Sequence, residues 1–589
     1  MVKTLKGWVL AGLALVATIA LASCNPRDYR TEATQAPQLL NSILSDPKTF
    51  NYALSNESPN VFTLTSEGLI SENPLTSAID PALAESWEIS PDKKRIVFTL
   101  REGLKWSDGQ PLTADDVVFS YRDIYLNPNI PTDIQDVLKI GKDKKLPGVK
   151  KLSDRKIEFT TPEPFAPFLR NTGGLAILPA HVLQETVDTK GSDGNPLFFS
   201  TWGTGTNPKE IVSNGPYVIE SYTSSQRIVF RRNPYYWKKD AQGQPLPKID
   251  RVIWKVVENQ NTNMLKFRSG DLDIIEPIRP EDYSLLKQEA KRGKFTMYVG
   301  GPRPITTFMA FNQSQGKRNG RSLVDPIKSR WFNSLAFRQA VAFAIDREKM
   351  NNNIFRGLGE LVYSTVIPQS PYYLSPQQGL KAYLYDLKRS KELLLGAGFK
   401  YDGQGQLLDS DGNRVRFTLM TNAGNTVREA MISQIKQDLA KIGIQVDLNP
   451  SNWNSMLDKL DNTLDWDACL MAFGGGLEPY SGINVWSTEG SSHNFNQPQL
   501  PGKPPIEGRV VQDWEAEISR LYTESAQELD DNKRKVLYHQ IQKTAAENVP
   551  WITLVNARLM AVGRDRIDTI QYPKLGEALW NIADLKVRD

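Results

Sequence analysis

Apolar and polar residues alternate from Arg95 to Arg101, which predicts a strand that packs mainly on one face of a sheet. Asp108-Gly109 follows as a predicted turn, because glycine adopts positive φ without steric cost. Thr113 and Asp116 have the spacing of a capping box, in which a hydroxyl and a carboxylate bond the free amides at a helix start. This stretch therefore predicts a strand, a turn and a helix in sequence.

The second half of the chain repeats this alternation of elements. Apolar residues at spacings of three and four predict a helix that Thr426 opens with its hydroxyl and Gly443 ends. Two strands are predicted next, at Ile444–Leu448 and Asp465–Phe473, and the second ends in Gly474-Gly475-Gly476. Strands interleaved with helices predict an α/β fold.

The amino terminus predicts export. Residues 1–23 carry Lys3 and Lys6 ahead of an apolar run that suits a signal peptide and is short for a membrane span. Leu21-Ala22-Ser23-Cys24 matches the bacterial lipobox, so Cys24 is the predicted lipidation site. Residues 24–38 are polar and unpatterned, which predicts a tether between the lipid and the first domain.

Length and charge narrow the class of protein. A chain of 589 residues is long enough for several domains with large cores. The formal net charge is only +4, which gives no reason to expect a nucleic-acid partner. Besides Cys24 the sequence holds one cysteine, Cys469, so no intramolecular disulfide is expected once Cys24 is lipidated.

Motifs for catalysis are missing from the sequence. The three histidines, His181, His493 and His539, are widely separated, and no His-Glu-x-x-His, Gly-x-Ser-x-Gly or phosphate-loop motif occurs. We therefore predict no catalytic residue, no metal and no cofactor. Abundant carboxylates keep a secreted hydrolase, such as a glycosidase, as an open alternative.

Two segments carry a family resemblance. LAESWEISPDKKRIVFTLREGLKWSDGQPLTADDVVFS closely resembles the signature segment of the family 5 extracellular solute-binding proteins, the oligopeptide and dipeptide receptors of ABC importers. NGPYVIESYTSSQRIVFRRNPYYW is a second match, and it also predicts a hairpin that pairs Tyr217–Ile219 with Ile228–Phe230. The resemblance extends from Leu39 to about Leu559.

The resemblance implies a type II, large-class periplasmic-binding-protein-like α/β fold, that is, a two-lobed receptor with an extra subdomain inserted in lobe I. Two crossovers, near residues 300 and 555, would act as hinges. The implied boundaries are 39–60, 201–300 and 555–589 for the lobe I core, 61–200 for the inserted subdomain and 301–554 for lobe II.

The resemblance also implies the ligand-binding residues. In peptide-binding relatives a tryptophan stands at the position of Trp453, and the strand containing Met471 ends in an aromatic residue, two small residues and an aspartate that pairs with the peptide amino group. Here the run is Phe473, Gly474, Gly475 and Gly476, with glycine where the aspartate belongs. Glu478 would replace that carboxylate if its side chain turned inward.

Three further residues complete the predicted site. Tyr480 follows the glycines and is expected to line the cleft. Asn56 and Glu57 follow a turn that borders the cleft in relatives, although capping the next helix is an equally good interpretation of both.

The predicted function is capture of peptides by lobe closure and their delivery to the permease subunits of an ABC importer. A non-peptide solute such as an oligosaccharide is the alternative ligand. We expect a monomeric lipoprotein in the periplasm, or on the cell surface if the host has no outer membrane. ATP hydrolysis would belong to partner subunits.

Overall fold

Four larger β-sheets organise the chain in a computed structural model that describes residues 37–55, 60–500, 502–573 and 576–588. The predicted signal peptide, Cys24, most of the predicted tether, Asn56 and Glu57 lie outside the described residues. Within the described residues, no helix is both long and apolar enough to cross a membrane.

Sheet A begins near the start of the described chain. Its strand Gln38–Ile43 pairs in parallel with Arg251–Val256, and the remaining pairs are antiparallel. The predicted hairpin is confirmed, with Ile219 opposite Phe230. The strands of sheet A, in spatial order, are Gln38–Ile43, Arg251–Val256, Arg227–Arg232 and Tyr217–Thr223.

Sheet B contains the strand predicted from alternation, which spans Arg95–Leu100. Val97 is buried along with the predicted inward face, because its cross-strand neighbour Glu158 is held over it by Arg95 and Lys150. The aliphatic parts of such long side chains cover apolar surface. The strands of sheet B, in spatial order, are Ala84–Ile89, Arg95–Leu100, Lys156–Thr160 and Gly148–Ser153.

The predicted capping box is also confirmed. Thr113 Oγ1 accepts a hydrogen bond from Asp115 N at 3.2 Å, and Asp116 Oδ2 accepts one from Thr113 N at 2.9 Å. The other oxygen of Asp116 accepts from Ala180 N at 3.0 Å, so the cap also ties two helices together.

Sheet C is the largest, with five strands. Leu470, Met309 and Leu419 point into a core shared with the helices Leu335–Ala344 and Thr426–Ala440. Its opposite face joins the core that extends to sheets A and B. The strands of sheet C, in spatial order, are Gln445–Ser451, Arg416–Asn422, Ala468–Gly474, Ile305–Phe311 and Trp551–Thr553.

Sheet D connects sheet C to the rest of the chain. Gly359–Leu361, which lies in the segment predicted as lobe II, also pairs with the long strand of sheet D. The boundaries of lobes and subdomain therefore remain a prediction. The other strands of sheet D, in spatial order, are Ile274–Ile275, Val555–Arg564 and Phe295–Pro302.

Helices and small hairpins complete the described chain. The α-helices are Phe62–Thr65, Ala114–Phe119, Phe168–Gly173, Ala180–Asp188, Gln260–Ser269, Tyr283–Gly293, Pro326–Asn333, Leu335–Ala344, Arg347–Asn353, Leu387–Gly396, Thr426–Ala440, Trp453–Asp458, Ile483–Trp486, Asp513–Gln527 and Asp531–Asn548. Two-residue or three-residue strands pair as Ile70–Glu72 with Ile79–Pro81, Lys317–Arg318 with Arg321–Ser322, Lys400–Tyr401 with Leu407–Leu408, and Ile567–Asp568 with Lys586–Val587.

The chain passes between sheets D and C twice, at residues 303–304 and at Leu554. Asn556 joins the two passages: its Oδ1 accepts from Thr307 N at 3.0 Å, and its Nδ2 donates to Ile305 O. Leu554 N also donates to Thr307 O at 3.0 Å. The passages lie close to the predicted crossovers, and their action as hinges stays a prediction.

A separate set of contacts joins the segment 61–200 to the segment 480–527. Tyr480 Oη donates to Lys139 O at 2.7 Å, and Ser491 N donates to Asp136 Oδ2 at 2.9 Å. Ala166 N donates to Ala526 O at 2.7 Å. The two segments therefore touch through main-chain and side-chain bonds at a place other than the two passages.

We expect Asn556→Ala to lower the free energy of unfolding by about 2–4 kcal/mol, because it leaves a buried N–H and a buried C=O without partners. Asn556 is buried, whereas Asn195 is exposed in a turn. Urea denaturation of Asn556→Ala and of Asn195→Ala as control checks this. Equal stabilities would contradict the role of Asn556 at the two passages.

Candidate ligand-binding site

The candidate site lies at the edge of sheet C where three parallel strands end. Strands Arg416–Asn422, Gln445–Ser451 and Ala468–Gly474 all end at this edge, which is where α/β sheets commonly bind ligands. Trp453 opens the short helix that follows one of them, because Asn452 caps this helix through Asn454 N at 3.0 Å. The structure therefore brings Trp453 to the same edge as the three glycines.

The strand that ends in glycine has a partner on one side only over its last residues. Its pairing with Ile305–Phe311 runs along its whole length, from Ala468 to Gly474. On the other side it pairs with Arg416–Asn422 at two positions only, where Ala468 lies opposite Leu419 and Cys469 lies opposite Met420. We call the space between the carboxyl ends of these two strands the strand gap.

Aromatic residues cover the face of sheet C below this edge. Phe308 and Trp551 stack with ring centroids 3.9 Å apart, and Phe473 lies 5.5 Å from Phe308 and 5.6 Å from Trp551. Trp486 adds a ring 4.7 Å from Trp551. Met471 belongs to the same core cluster. Phe308 and Trp551 were absent from the predicted site, since strand residues far apart in sequence carry no signal that they will be neighbours.

Two indole groups near this face lack hydrogen-bond partners. The Nε1 atoms of Trp453 and Trp551 are both buried, and no acceptor within the described residues bonds them. Buried donors are normally paired with protein or ordered water. These two buried N–H groups therefore lack the acceptor that such donors normally have.

The three glycines are exposed, and none of them has a positive φ. A Cβ on Gly475 would lie 2.5 Å from Ile367 Cγ2, so close packing explains that glycine. A Cβ on Gly474 would meet nothing within 4 Å. Glycine at 474 thus leaves bare main chain facing open space, and unusual dihedral angles are not the reason for the run.

Glu478 is fully engaged by groups of the protein itself. Both of its carboxylate oxygens accept from Arg534 Nη2 at 2.8 Å, and Oε1 also accepts from Tyr538 Oη at 2.8 Å. Arg534 uses its remaining donors on Tyr372 Oη at 2.6 Å and Ser525 O at 2.9 Å.

This network neutralises the charge of Glu478. Burial disfavours the charged form of Arg534, but the Glu478 carboxylate outweighs it and the pKa of Arg534 is raised. The prediction that Glu478 turns inward to replace the missing aspartate is not supported by this geometry. The carboxylate lies against the helix Asp531–Asn548 and is fully hydrogen-bonded there.

Tyr480 has a contact different from the one expected. Its side chain is buried, its hydroxyl donates to Lys139 O, and its ring meets Phe165 edge-on at 5.3 Å. Burial raises the pKa of Tyr480. The structure therefore places Tyr480 between the two contacting segments of the chain.

His493 is also fully buried. Its Nδ1 lies 2.7 Å from Val485 O and its Nε2 lies 3.0 Å from Glu515 Oε2, so both ring nitrogens face acceptors within the protein. Within the described residues, no group of three or more His, Cys, Asp or Glu side chains could hold a metal ion.

An arginine that sequence reasoning had not selected lies beside the strand gap. Arg428 Nη1 donates to Asn422 Oδ1 at 2.8 Å, at the end of one of the two diverging strands. Burial lowers the pKa of Arg428 to about 10, and the charge of Arg303 contributes to this shift. Sequence analysis gives no signal for Arg428, because a sequence does not show which charges will lack a partner.

That helix begins differently from the prediction. Asn425 is the N-cap, since its Oδ1 accepts from Arg428 N at 3.1 Å. Thr426 is the first helical residue, and its N–H donates to Gln260 Oε1 at 3.0 Å. The prediction that Thr426 caps the helix is therefore wrong, because a side chain 166 positions earlier in the sequence bonds its amide.

Comparison with known proteins identifies the family. Residues 78–494 match the bacterial extracellular solute-binding proteins of family 5. The chain belongs to this family. A probable ABC transporter-binding protein of Deinococcus radiodurans is 29% identical over 96% of this chain and 95% of its own length.

Solved structures of similar fold cover nearly the whole chain of this family 5 protein. The oligopeptide-binding protein AppA of Bacillus subtilis, in complex with a nonapeptide, has a TM-score of 0.78 and 23% identity, covering 94% of this chain and 99% of its own. The periplasmic binding protein MelB of Agrobacterium fabrum, in complex with stachyose, has a TM-score of 0.79 and 22% identity, covering 94% and 84%.

The predicted family and fold class are thereby confirmed. The family 5 protein has the type II periplasmic-binding-protein fold, and the family consists of extracytoplasmic solute-binding proteins rather than enzymes. Its solute-binding role therefore follows from its membership of the family.

We expect Arg534→Met to lower the free energy of unfolding by about 3–5 kcal/mol, because it leaves the buried Glu478 carboxylate without its positive partner. The double variant Arg534→Met, Glu478→Leu should recover a large part of this loss, since it removes both charges. Chemical denaturation of both variants and the wild type measures the difference. A double variant no more stable than Arg534→Met would contradict this account of the pair.

Proposed function

We propose that this protein is the substrate-binding component of an ABC importer, which captures a peptide between its lobes and delivers it to a membrane permease. The strand gap is the observation that supports a peptide as the ligand. An extended peptide can pair with the free side of Met471–Gly474, and the exposed main chain at Gly474 admits it without steric conflict.

Closure of the lobes would follow from ligand contacts on both sides of the cleft. A ligand shifts a conformational equilibrium only if it binds one state better than the other. The passages at 303–304 and 554 are the proposed hinges, and the contacts of Tyr480 with Lys139 and of Ser491 with Asp136 would form on closure. The closed form would then be the one that the permease recognises.

An oligosaccharide is the second candidate ligand, and particular features of the edge favour it. Gly476 offers no carboxylate for a peptide amino group, and Glu478 is neutralised by Arg534. Indole rings such as Trp453 stack on sugar faces, and the unpaired Nε1 atoms could donate to hydroxyl groups. MelB, with a similar fold, was solved with stachyose.

Membrane attachment belongs to the proposal as well. The lipobox ending in Cys24 supports a lipid-anchored protein outside the cytoplasm, and we propose that this protein acts as a monomer. The proposed location is the periplasm, or the cell surface in a host without an outer membrane.

The ligand class can be tested with Gly474→Val. Because a Cβ at this position meets nothing within 4 Å, the variant should unfold at the wild-type temperature. It should nevertheless bind the ligand at least tenfold more weakly, since the new side chain fills the open space over the bare main chain with which the ligand is proposed to pair. Gly403→Val is the control, because its Cβ also meets nothing within 4 Å and it lies in the turn between Lys400–Tyr401 and Leu407–Leu408.

Ligands for this test come from thermal-shift screening of the mature protein with peptide and oligosaccharide libraries. Stabilisation by peptides, reduced in Gly474→Val and kept in Gly403→Val, is the expected result. Stabilisation by sugars alone would overturn the peptide in favour of the second candidate. Turnover of a stabilising ligand would overturn the binding role in favour of a hydrolase.

Cys24→Ser should release the protein from the membrane fraction, because serine cannot form the thioether to the lipid. Fractionation and immunoblotting of cells that express either form check this. Wild-type-like membrane association of the variant, without accumulation of precursor, would contradict lipid anchoring at Cys24.

A further inference from the structure

Two arginines at the edge of sheet C form no ion pair with a carboxylate of the described residues. Arg428 has one side-chain hydrogen bond within the described residues, to the uncharged Asn422, although a guanidinium carries five N–H donors. Arg303 immediately precedes Pro304, whose carbonyl accepts from Gly475 N at 2.9 Å. The two positive charges therefore lie at the same edge as the exposed glycines.

The carboxyl of Glu276 lies near Arg303 but does not neutralise its charge. Glu276 feels the charge of Arg303, but its carboxyl is already bonded by Tyr572 Oη at 2.8 Å and by Ala578 N. Burial and the neighbouring Glu577 raise the pKa of Glu276 to about 7, so near neutral pH it carries only part of a negative charge. The edge consequently keeps an excess of positive charge.

An arrangement of this kind costs folding free energy. Removing a cation from water without an opposite charge is unfavourable, and two cations close together repel each other. Elsewhere the buried arginines of the described chain are compensated. Arg534 has Glu478, and Arg279 has Asp282 at 2.6 Å. Arg338 and Arg347 have no carboxylate partner, but they donate three and four hydrogen bonds to main-chain carbonyls, whereas Arg428 donates one to an amide. The exception at the ligand-binding edge is best explained by an anionic group that arrives with the ligand.

We propose that Arg303 and Arg428 bind a carboxylate of the captured solute, and that this solute carries no ammonium group near Gly476. The proposal rests on the proposed capture function and names its substrate class. Gly476 and the neutralised Glu478 provide no free carboxylate for an ammonium group of the solute. The two arginines, in contrast, provide positive charge for an anionic group. A planar carboxylate matches the fork of guanidinium donors.

Two sources of such a carboxylate exist, an amino-blocked peptide and an acidic oligosaccharide. Four probes separate them: N-acetyl-tetraalanine, its carboxamide, tetragalacturonate and maltotetraose. Calorimetric titration should show that one of the two carboxylates binds at least tenfold more tightly than its uncharged counterpart. Which pair shows the difference identifies the source.

Arg428→Gln and Arg303→Gln test the role of the arginines, and Arg231→Gln on an exposed part of sheet A is the control. Each test variant should bind the carboxylate probe at least tenfold more weakly than the wild type and bind the uncharged probe equally well. Without ligand, Arg428→Gln should unfold at the wild-type temperature or above it, because it removes an uncompensated charge. If Arg428 had only a structural role, Arg428→Gln would instead lower the unfolding temperature and leave binding of the probes unaltered.

Equal binding of a carboxylate and its uncharged counterpart would overturn this inference and leave the capture function standing. If the folded protein bound none of the four probes, both this inference and the capture function would be overturned for peptides and oligosaccharides of this length.

Discussion

The two passages of the chain between sheets C and D are the constraint on which the rest of the structure depends. Arg303 and Pro304 form one passage, beside the edge of sheet C where Gly475 bonds Pro304, and Leu554 forms the other. Asn556 lies just after the second passage and bonds the main chain of Ile305 and Thr307, just after the first. Because these bonds are buried, they fix the start of sheet C against the strand that follows the second passage.

Electrostatics divides the charged groups around the edge into two kinds. Glu478 and Arg534 satisfy each other completely, so they stabilise the packing of the helix Asp531–Asn548 and offer nothing to a ligand. Arg428 and Arg303 are the opposite case, since no carboxylate forms an ion pair with either in the described part of the chain. The same residue type is therefore paired with a carboxylate in one place and left without a charged partner in the other.

Local elements were predictable where the signal lay within a few residues. The capping box at Thr113 and the hairpin around Ile219 and Phe230 are found as predicted, because neighbouring residues supply every bond that defines them. The cap of the helix Thr426–Ala440 was misplaced by one residue. Asn425 and Thr426 are both good caps locally, and the distant Gln260 decides between them by bonding the Thr426 amide.

The sequence alone determined the family, the α/β character and the run of glycines in place of an aspartate, because each is carried by short contiguous segments. Only the tertiary structure decided what that run means. It placed Glu478 against Arg534, buried Tyr480 against Lys139 and left Arg428 beside the strand gap with a single amide partner. Charge compensation depends on which side chains meet across hundreds of residues, and such meetings are not encoded in any local pattern.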